Sequence, residues 1–142
     1  VSILQTLLDV TKALSDRNRL RVVAALQANP ELCACQITEL LQVTGATVSR
    51  HMGILVQAGL VVSRKEGRWT YYQLRTPAAD TRPVLKWLQH GLQESPDIEA
   101  DRQALSRILC EDKEDLCRRQ RGDACCPQRS EQAKEINNRK KR

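Results

Sequence analysis

Apolar residues recur at helical spacing between Leu32 and Leu41 and again between Thr44 and Gln57, and only Gln42-Val43 separates the two runs. Two helices joined by so short a link turn across each other, which makes this stretch a helix-turn-helix candidate. The second run begins on Thr44, a side chain suited to capping a helix start. It carries Val48, Met52, Leu55 and Val56 as its buried stripe and meets Gly59 where a C-terminal cap is expected.

The flanking segments extend this frame. Ile3, Leu4, Leu7, Leu8, Val10, Ala13 and Leu14 define a first amphipathic helix. Ser15-Asp16 caps a second, with Leu20, Val23, Ala24 and Leu26 apolar, which stops at Asn29-Pro30. Leu60–Arg64 and Trp69–Leu74 read as two strands around a Lys65-Glu66-Gly67-Arg68 turn. Pro83 suits the first turn of a fifth helix that runs to about Glu94. The expected fold is therefore mainly α with a small β-hairpin: a winged helix-turn-helix in the order α-α-α-α-β-β-α. Residues 1–96 form the expected domain. Residues 97–142 form a charged, cysteine-containing extension, read as one helix from Asp97 to about Arg119 and disordered from Gly122 onward.

Composition narrows the function class. The chain is 41% hydrophobic yet has no Phe and only two Trp and two Tyr, so the core is aliphatic, helical and small, and a dimer interface would help to stabilise it. Net charge is +6. Through residue 96 there are 11 basic and 7 acidic residues, and beyond it 12 and 10, ending in the basic run Arg139–Arg142. No apolar stretch is long enough to span a bilayer, and the amphipathic opening does not read as a signal peptide. The expected compartment is the cytosol, where cysteines serve as metal ligands or redox thiols more often than as structural disulfides.

Thr47, Ser49, Arg50 and His51 lie close together on the fourth helix, behind the small Gly45 and Ala46. An arginine can fork onto guanine, and Ser or Thr can reach bases or phosphates. Thr44, Thr47, Ser49, Arg50 and His51 are thus candidate readers of double-stranded DNA. Arg64, Lys65 and Arg68 of the hairpin are candidate phosphate contacts. A merely solvated polar face is the alternative, and His51 suits packing as well as it suits a base. A thiol enzyme or metal buffer would leave the basic hairpin unexplained, and no His neighbours a Cys in sequence; no catalytic residue is assigned.

Of the six cysteines, Cys33 and Cys35 are separated by one residue. In a regular helix they would point about 200° apart, whereas in an extended segment they share a side. The pair can therefore chelate one ion only if the third helix is distorted there, and that distortion is a candidate switch. Alternatively, Cys33 is a small core residue and Cys35 an incidental thiol. Cys110 and Cys117, seven apart on one helix, share a face at about 10 Å; Cys125-Cys126 is a vicinal pair that can grip an ion or oxidise. All four are candidate additional ligands. Thiolates without usable His select soft metals.

These stretches together resemble the ArsR/SmtB family of winged-helix metal-sensing repressors. Ala13-Leu-Ser-Asp-Arg-Asn-Arg-Leu-Arg21 is similar to the family's helix-entry signature, with Arg17 where proline is common. Thr44–Leu60, containing Thr47-Val-Ser-Arg-His51 and Gln57-Ala-Gly-Leu60, is similar to its recognition helix, with Gly45 in place of a polar side chain. Glu31-Leu-Cys-Ala-Cys35 resembles the motif of the arsenite-responsive branch, with Thr38 where a third Cys is common. The resemblance covers about residues 3–94. It implies a homodimer formed by the first and fifth helices, an operator before arsenic-resistance genes, and release when trivalent arsenic (arsenite, methylarsenite) or antimonite binds Cys33 and Cys35. It implies no organic cofactor. A thiol-redox or other soft-metal sensor of the same fold, with Cys125-Cys126 as its switch, is the rival reading.

Overall fold

The computed structural model describes residues 2–120. Seven helices surround a small three-stranded sheet: α1 (Ile3–Leu14), α2 (Arg17–Ala28), β1 (Leu32–Cys33), α3 (Ala34–Leu41), α4 (Gly45–Gln57), β2 (Val61–Glu66), β3 (Trp69–Leu74), α5 (Arg82–Leu92), α6 (Pro96–Cys110) and α7 (Lys113–Arg119). The expected order is present, with the short strand β1 added.

Local chemistry sets the boundaries. The Asp16 carboxylate accepts from the Asn18 and Arg19 amides at 2.8 and 3.1 Å and starts α2. Gln42, in the left-handed region at φ 55°, ends α3. Thr44 then accepts from the Thr47 amide at 3.2 Å and starts α4. These two residues close the helix-turn-helix. After α4, Gly59 takes φ 77°, a conformation that side chains disfavour.

The sheet is antiparallel in the order β1-β3-β2, with Leu32 opposite Tyr72, Cys33 opposite Tyr71, Arg64 opposite Tyr71, and Glu66 opposite Trp69. The hairpin turn is therefore Gly67-Arg68 alone, tighter than the expected four residues. Gly67, at φ 60°, meets the positive-φ requirement of such a turn.

Two boundaries differ from expectation. The third helix begins at Ala34, because pairing with β3 holds Leu32 and Cys33 extended. The expected sixth helix is two helices. Glu111 is extended, and the Asp112 carboxylate caps α7 by accepting from the Glu114 amide at 2.8 Å. Cys110 and Cys117 therefore do not share one helical face.

The core is continuous from Val10 and Val22 through Ile37, Val48, Met52 and Leu55 to Leu105, Ile108 and Leu116. Helices α6 and α7 thus pack into the same apolar interior. Arg21 of α2 anchors it. Its guanidinium donates to both Asp101 carboxylate oxygens of α6, at 2.8 and 2.9 Å, and to the Leu40 carbonyl at 3.2 Å. A forked, largely buried pair of this kind fixes orientation as well as adding energy. Several apolar side chains stay outside: Ile3, Leu4, Leu7 and Leu8 of α1 are exposed, Trp87 of α5 is 72% exposed, and Val56 and Leu109 are exposed singly.

Candidate nucleic-acid interface and thiol centre

The N-terminal end of α4 gathers Thr44, Thr47, Ser49 and Arg50. Ser49 and Arg50 are exposed, and the Thr44 and Thr47 hydroxyls lie 2.9 Å apart. Small Gly45 and Ala46 leave the helix start open to close approach. His51, expected among the DNA readers, is a correction: it is 5% exposed and lies on the core side of α4. Its Nδ1 is 3.1 Å from the Arg19 guanidinium. An arginine can only donate, so Nδ1 accepts. Arg19 also donates to the Ala13 carbonyl at 2.6 Å, so this pair ties α4 to the α1–α2 junction. The periodicity already held the signal, since His51 is three residues after Val48 and four before Leu55.

The hairpin residues separate into different roles. Lys65 is exposed near the tip, opposite Thr70. Arg68 is half-buried in the turn. Arg64 is held within the chain: it forks onto Glu31 at 2.6 and 2.8 Å, reaches Glu66 at 2.7 Å and lies over the Tyr71 ring at 4.5 Å. These carboxylates raise the Arg64 pKa, and Arg64 lowers that of Glu31. Its charge is largely neutralised at home, which weakens its case as a phosphate contact.

Cys33 and Cys35 are brought together without any distortion of α3. Cys33 is the N-cap of α3, extended at φ −75° and ψ 148°, and Cys35 stands in the first turn. The Cys35 thiol donates to the Cys33 sulfur across 3.3 Å. A disulfide would need about 2.05 Å, so these are two separate sulfurs. The expected conflict assumed that both residues were helical; it vanishes because Cys33 belongs to β1. Gln36 fixes the entry, its side-chain oxygen accepting from the Cys33 amide at 2.8 Å.

Both sulfurs are fully buried. The Cys33 thiol is nevertheless lowered from 9.0 to about 7. The Cys35 hydrogen bond is the largest cause. The backbone amides of Cys35 and Ala34 and the Lys113 charge add to it, and burial opposes it. Lys113 comes from α7. Its ammonium donates to the Tyr71 hydroxyl and lies 4.6 Å from the Tyr71 ring centroid and 5.5 Å from that of Trp69. Gln120, just past α7, donates to the Cys35 carbonyl and to Glu39, both at 3.0 Å.

Among the described residues, the remaining cysteines do not complete a cluster with Cys33 and Cys35. Cys110 is exposed at the end of α6, and Cys117 is disulfide-bonded. Cys125 and Cys126 lie outside the described residues. Among the described residues no group of three His, Cys, Asp or Glu side chains is placed to hold a metal ion. No helix among them is long and apolar enough to cross a membrane. Gln36, Tyr71, Lys113 and Gln120 were not singled out by sequence; all but Gln36 come to the Cys33–Cys35 segment from distant elements.

Residues 16–63 match the sequence model of the bacterial regulatory protein arsR family. The chain is 37% identical over 65 residues to the arsenic resistance transcriptional regulator ArsR1 of Pseudomonas putida, covering 46% of this chain and 51% of that one. It is 42% identical over 64 residues to the cadmium resistance transcriptional regulatory protein CadC of Listeria innocua, covering 45% and 54%. These matches span about half the length of either regulator. An HTH-type transcriptional regulator of Methanocaldococcus jannaschii is 38% identical over 66 residues, covering 46% of this chain and 74% of its own length. Among solved structures, reduced HlyU from Vibrio cholerae superimposes with a TM-score of 0.54 at 25% identity, over 64% of this chain and 92% of its own. The fold, the recognition-helix sequence and these matches place the chain in the arsR family of bacterial regulatory proteins.

Proposed function

We propose that this chain is a homodimeric repressor that binds operator DNA through α4 and the hairpin, and leaves it when trivalent arsenic binds Cys33 and Cys35. The observation that carries the reading is the convergence of the two sulfurs at the entry of α3. Two sulfurs 3.3 Å apart, each bonded to one ion at about 2.3 Å, subtend roughly 90°. A tetrahedral ion such as zinc prefers about 109°. The narrow bite suits a pyramidal trivalent metalloid, whether arsenite, methylarsenite or antimonite. In binding arsenite, two S–H bonds and two As–O bonds break and two As–S bonds form. The thiol protons leave with the two hydroxyls as water, and arsenic stays trivalent.

The site is wired to both DNA-facing elements. Cys33 belongs to β1, which pairs with strand β3 of the hairpin, and Cys35 belongs to α3, which packs on α4. A ligand that binds one arrangement of these elements more tightly shifts the population by that difference in affinity. The exposed apolar side chains of α1 and Trp87 of α5 support a second copy of the chain as the partner. The names of the arsenic- and cadmium-resistance relatives support metalloid-responsive regulation in general. Gel-shift titration tests the reading. Cys33→Ser and Cys35→Ser keep operator binding and lose release by arsenite; normal release from both variants refutes the site.

A further inference from the structure

We infer that α7 is a lid on the Cys33–Cys35 pair, and that it must undock before a metalloid reaches the sulfurs. The inference rests on the proposal that this pair is the inducer site. Both sulfurs have no exposed surface, so no ligand can approach them in this arrangement. The segment over them is short and lightly held. α7 spans seven residues and buries one side chain fully, Leu116. Cys117 of α7 is half-buried against the core and disulfide-bonded, and the ties that reach the thiol segment itself are polar. Lys113 reaches the Tyr71 hydroxyl on β3, opposite Cys33. Arg119 lies 3.5 Å from Glu39 of α3, and Gln120 donates to Glu39 and to the Cys35 carbonyl.

This clasp is incomplete. The Gln120 side-chain oxygen is buried and finds no hydrogen-bond partner among the described residues. A buried acceptor without a partner regains one in water when the segment lifts, which favours opening. The extended Glu111 before Asp112 supplies a break about which α7 can swing without disturbing α6, whose Leu105 and Ile108 remain in the core. Elements with few apolar contacts and polar ties open locally well before the whole fold does. The lid therefore sets apparent affinity. A ligand that binds only the open form is weakened by the fraction of molecules that are open.

Site-resolved alkylation tests this on the full chain. Iodoacetamide is added at one fixed pH, and the peptides carrying Cys33 and Cys35 are quantified by mass spectrometry. When opening is fast and reversible, the rate follows the open population. Leu116→Ala removes the one fully buried anchor and is expected to speed alkylation of both sulfurs by at least about tenfold. Gln120→Ala keeps that anchor and removes only the clasp, so it gives a smaller acceleration in a chain with an unchanged melting curve. Wild-type rates in both variants overturn the lid. The readout contains no metalloid, so its failure is distinct from a failure of the arsenite gel-shift.

Discussion

Replacing Cys35 with Ala removes the largest influence on the Cys33 charge, the thiol hydrogen bond across 3.3 Å. With its pKa at about 7 instead of 9.0, Cys33 is near half ionised at neutral pH. At the ordinary value about 1% would be, a roughly fifty-fold difference. The rate of alkylation falls by less than that. A thiolate of higher pKa is the better nucleophile, with a Brønsted slope of about 0.4–0.5, so two pH units return roughly tenfold. The net expectation for Cys35→Ala is alkylation of Cys33 up to about fivefold slower at neutral pH. The midpoint of its pH–rate profile moves upward by at most about two units. The amides of Cys35 and Ala34 persist, so the movement stops short of that limit. Cys35→Ser retains a donor and falls between.

The same shift governs stability. The Cys33 pKa is lower folded than unfolded, so ionisation favours the native state. The contribution is complete above pH 9, the unfolded value, and is lost as pH falls through 7, the folded one. It amounts to no more than about 3 kcal/mol. Urea unfolding at several pH values reads it as a rise in stability between neutral and mildly alkaline pH, and Cys35→Ala flattens that rise. A pH–rate midpoint that is the same in wild type and Cys35→Ala refutes the reasoning, because the thiol contact would then not be what holds the charge.

Arg50→Ala is expected to weaken operator binding by about 1–3 kcal/mol and to relax base preference in a footprint. Lys65→Ala lowers the slope of log affinity against log salt by about 1, whereas Arg64→Ala, with its charge already paired to Glu31 and Glu66, changes it less. Asp101→Ala leaves the Arg21 guanidinium largely buried without its carboxylate and lowers folding stability by about 2–4 kcal/mol in urea titrations. Leu4→Glu combined with Trp87→Glu places charge on the exposed apolar side chains of α1 and α5 and is expected to yield a monomer in analytical ultracentrifugation.

What could be read from sequence follows the distance over which each feature is decided. The helix-turn-helix was legible because Thr44, Gly59 and the Val48–Met52–Leu55 stripe act within a few residues of one another. The hairpin was legible for the same reason. The arrangement of Cys33 and Cys35 was not, because it depends on a strand of two residues whose partner lies nearly forty positions away. Leu32 and Cys33 satisfy a helical period as well as an extended one, and only pairing with Tyr71 and Tyr72 decides between them. The pairing of Arg64 was not legible on similar grounds: its partner Glu31 is 33 residues distant and meets it only once β1 and β2 flank β3.

This difference changes where the switch must lie. If both cysteines were helical, binding would have to unwind α3, and unwinding would itself carry the signal to α4. With Cys33 already extended, the sulfurs are set for a narrow bite before any ligand arrives, so capture alone moves α3 little. A signal then has to come from what capture displaces. The group nearest the sulfurs that is held by few contacts is α7, and its Lys113 is bonded to Tyr71, the residue that stands between Cys33 on one side and Arg64 on the other. Lifting α7 removes a cation from the centre of the sheet. The hairpin then loses a tie at β3, the strand that pairs directly with Cys33 of β1.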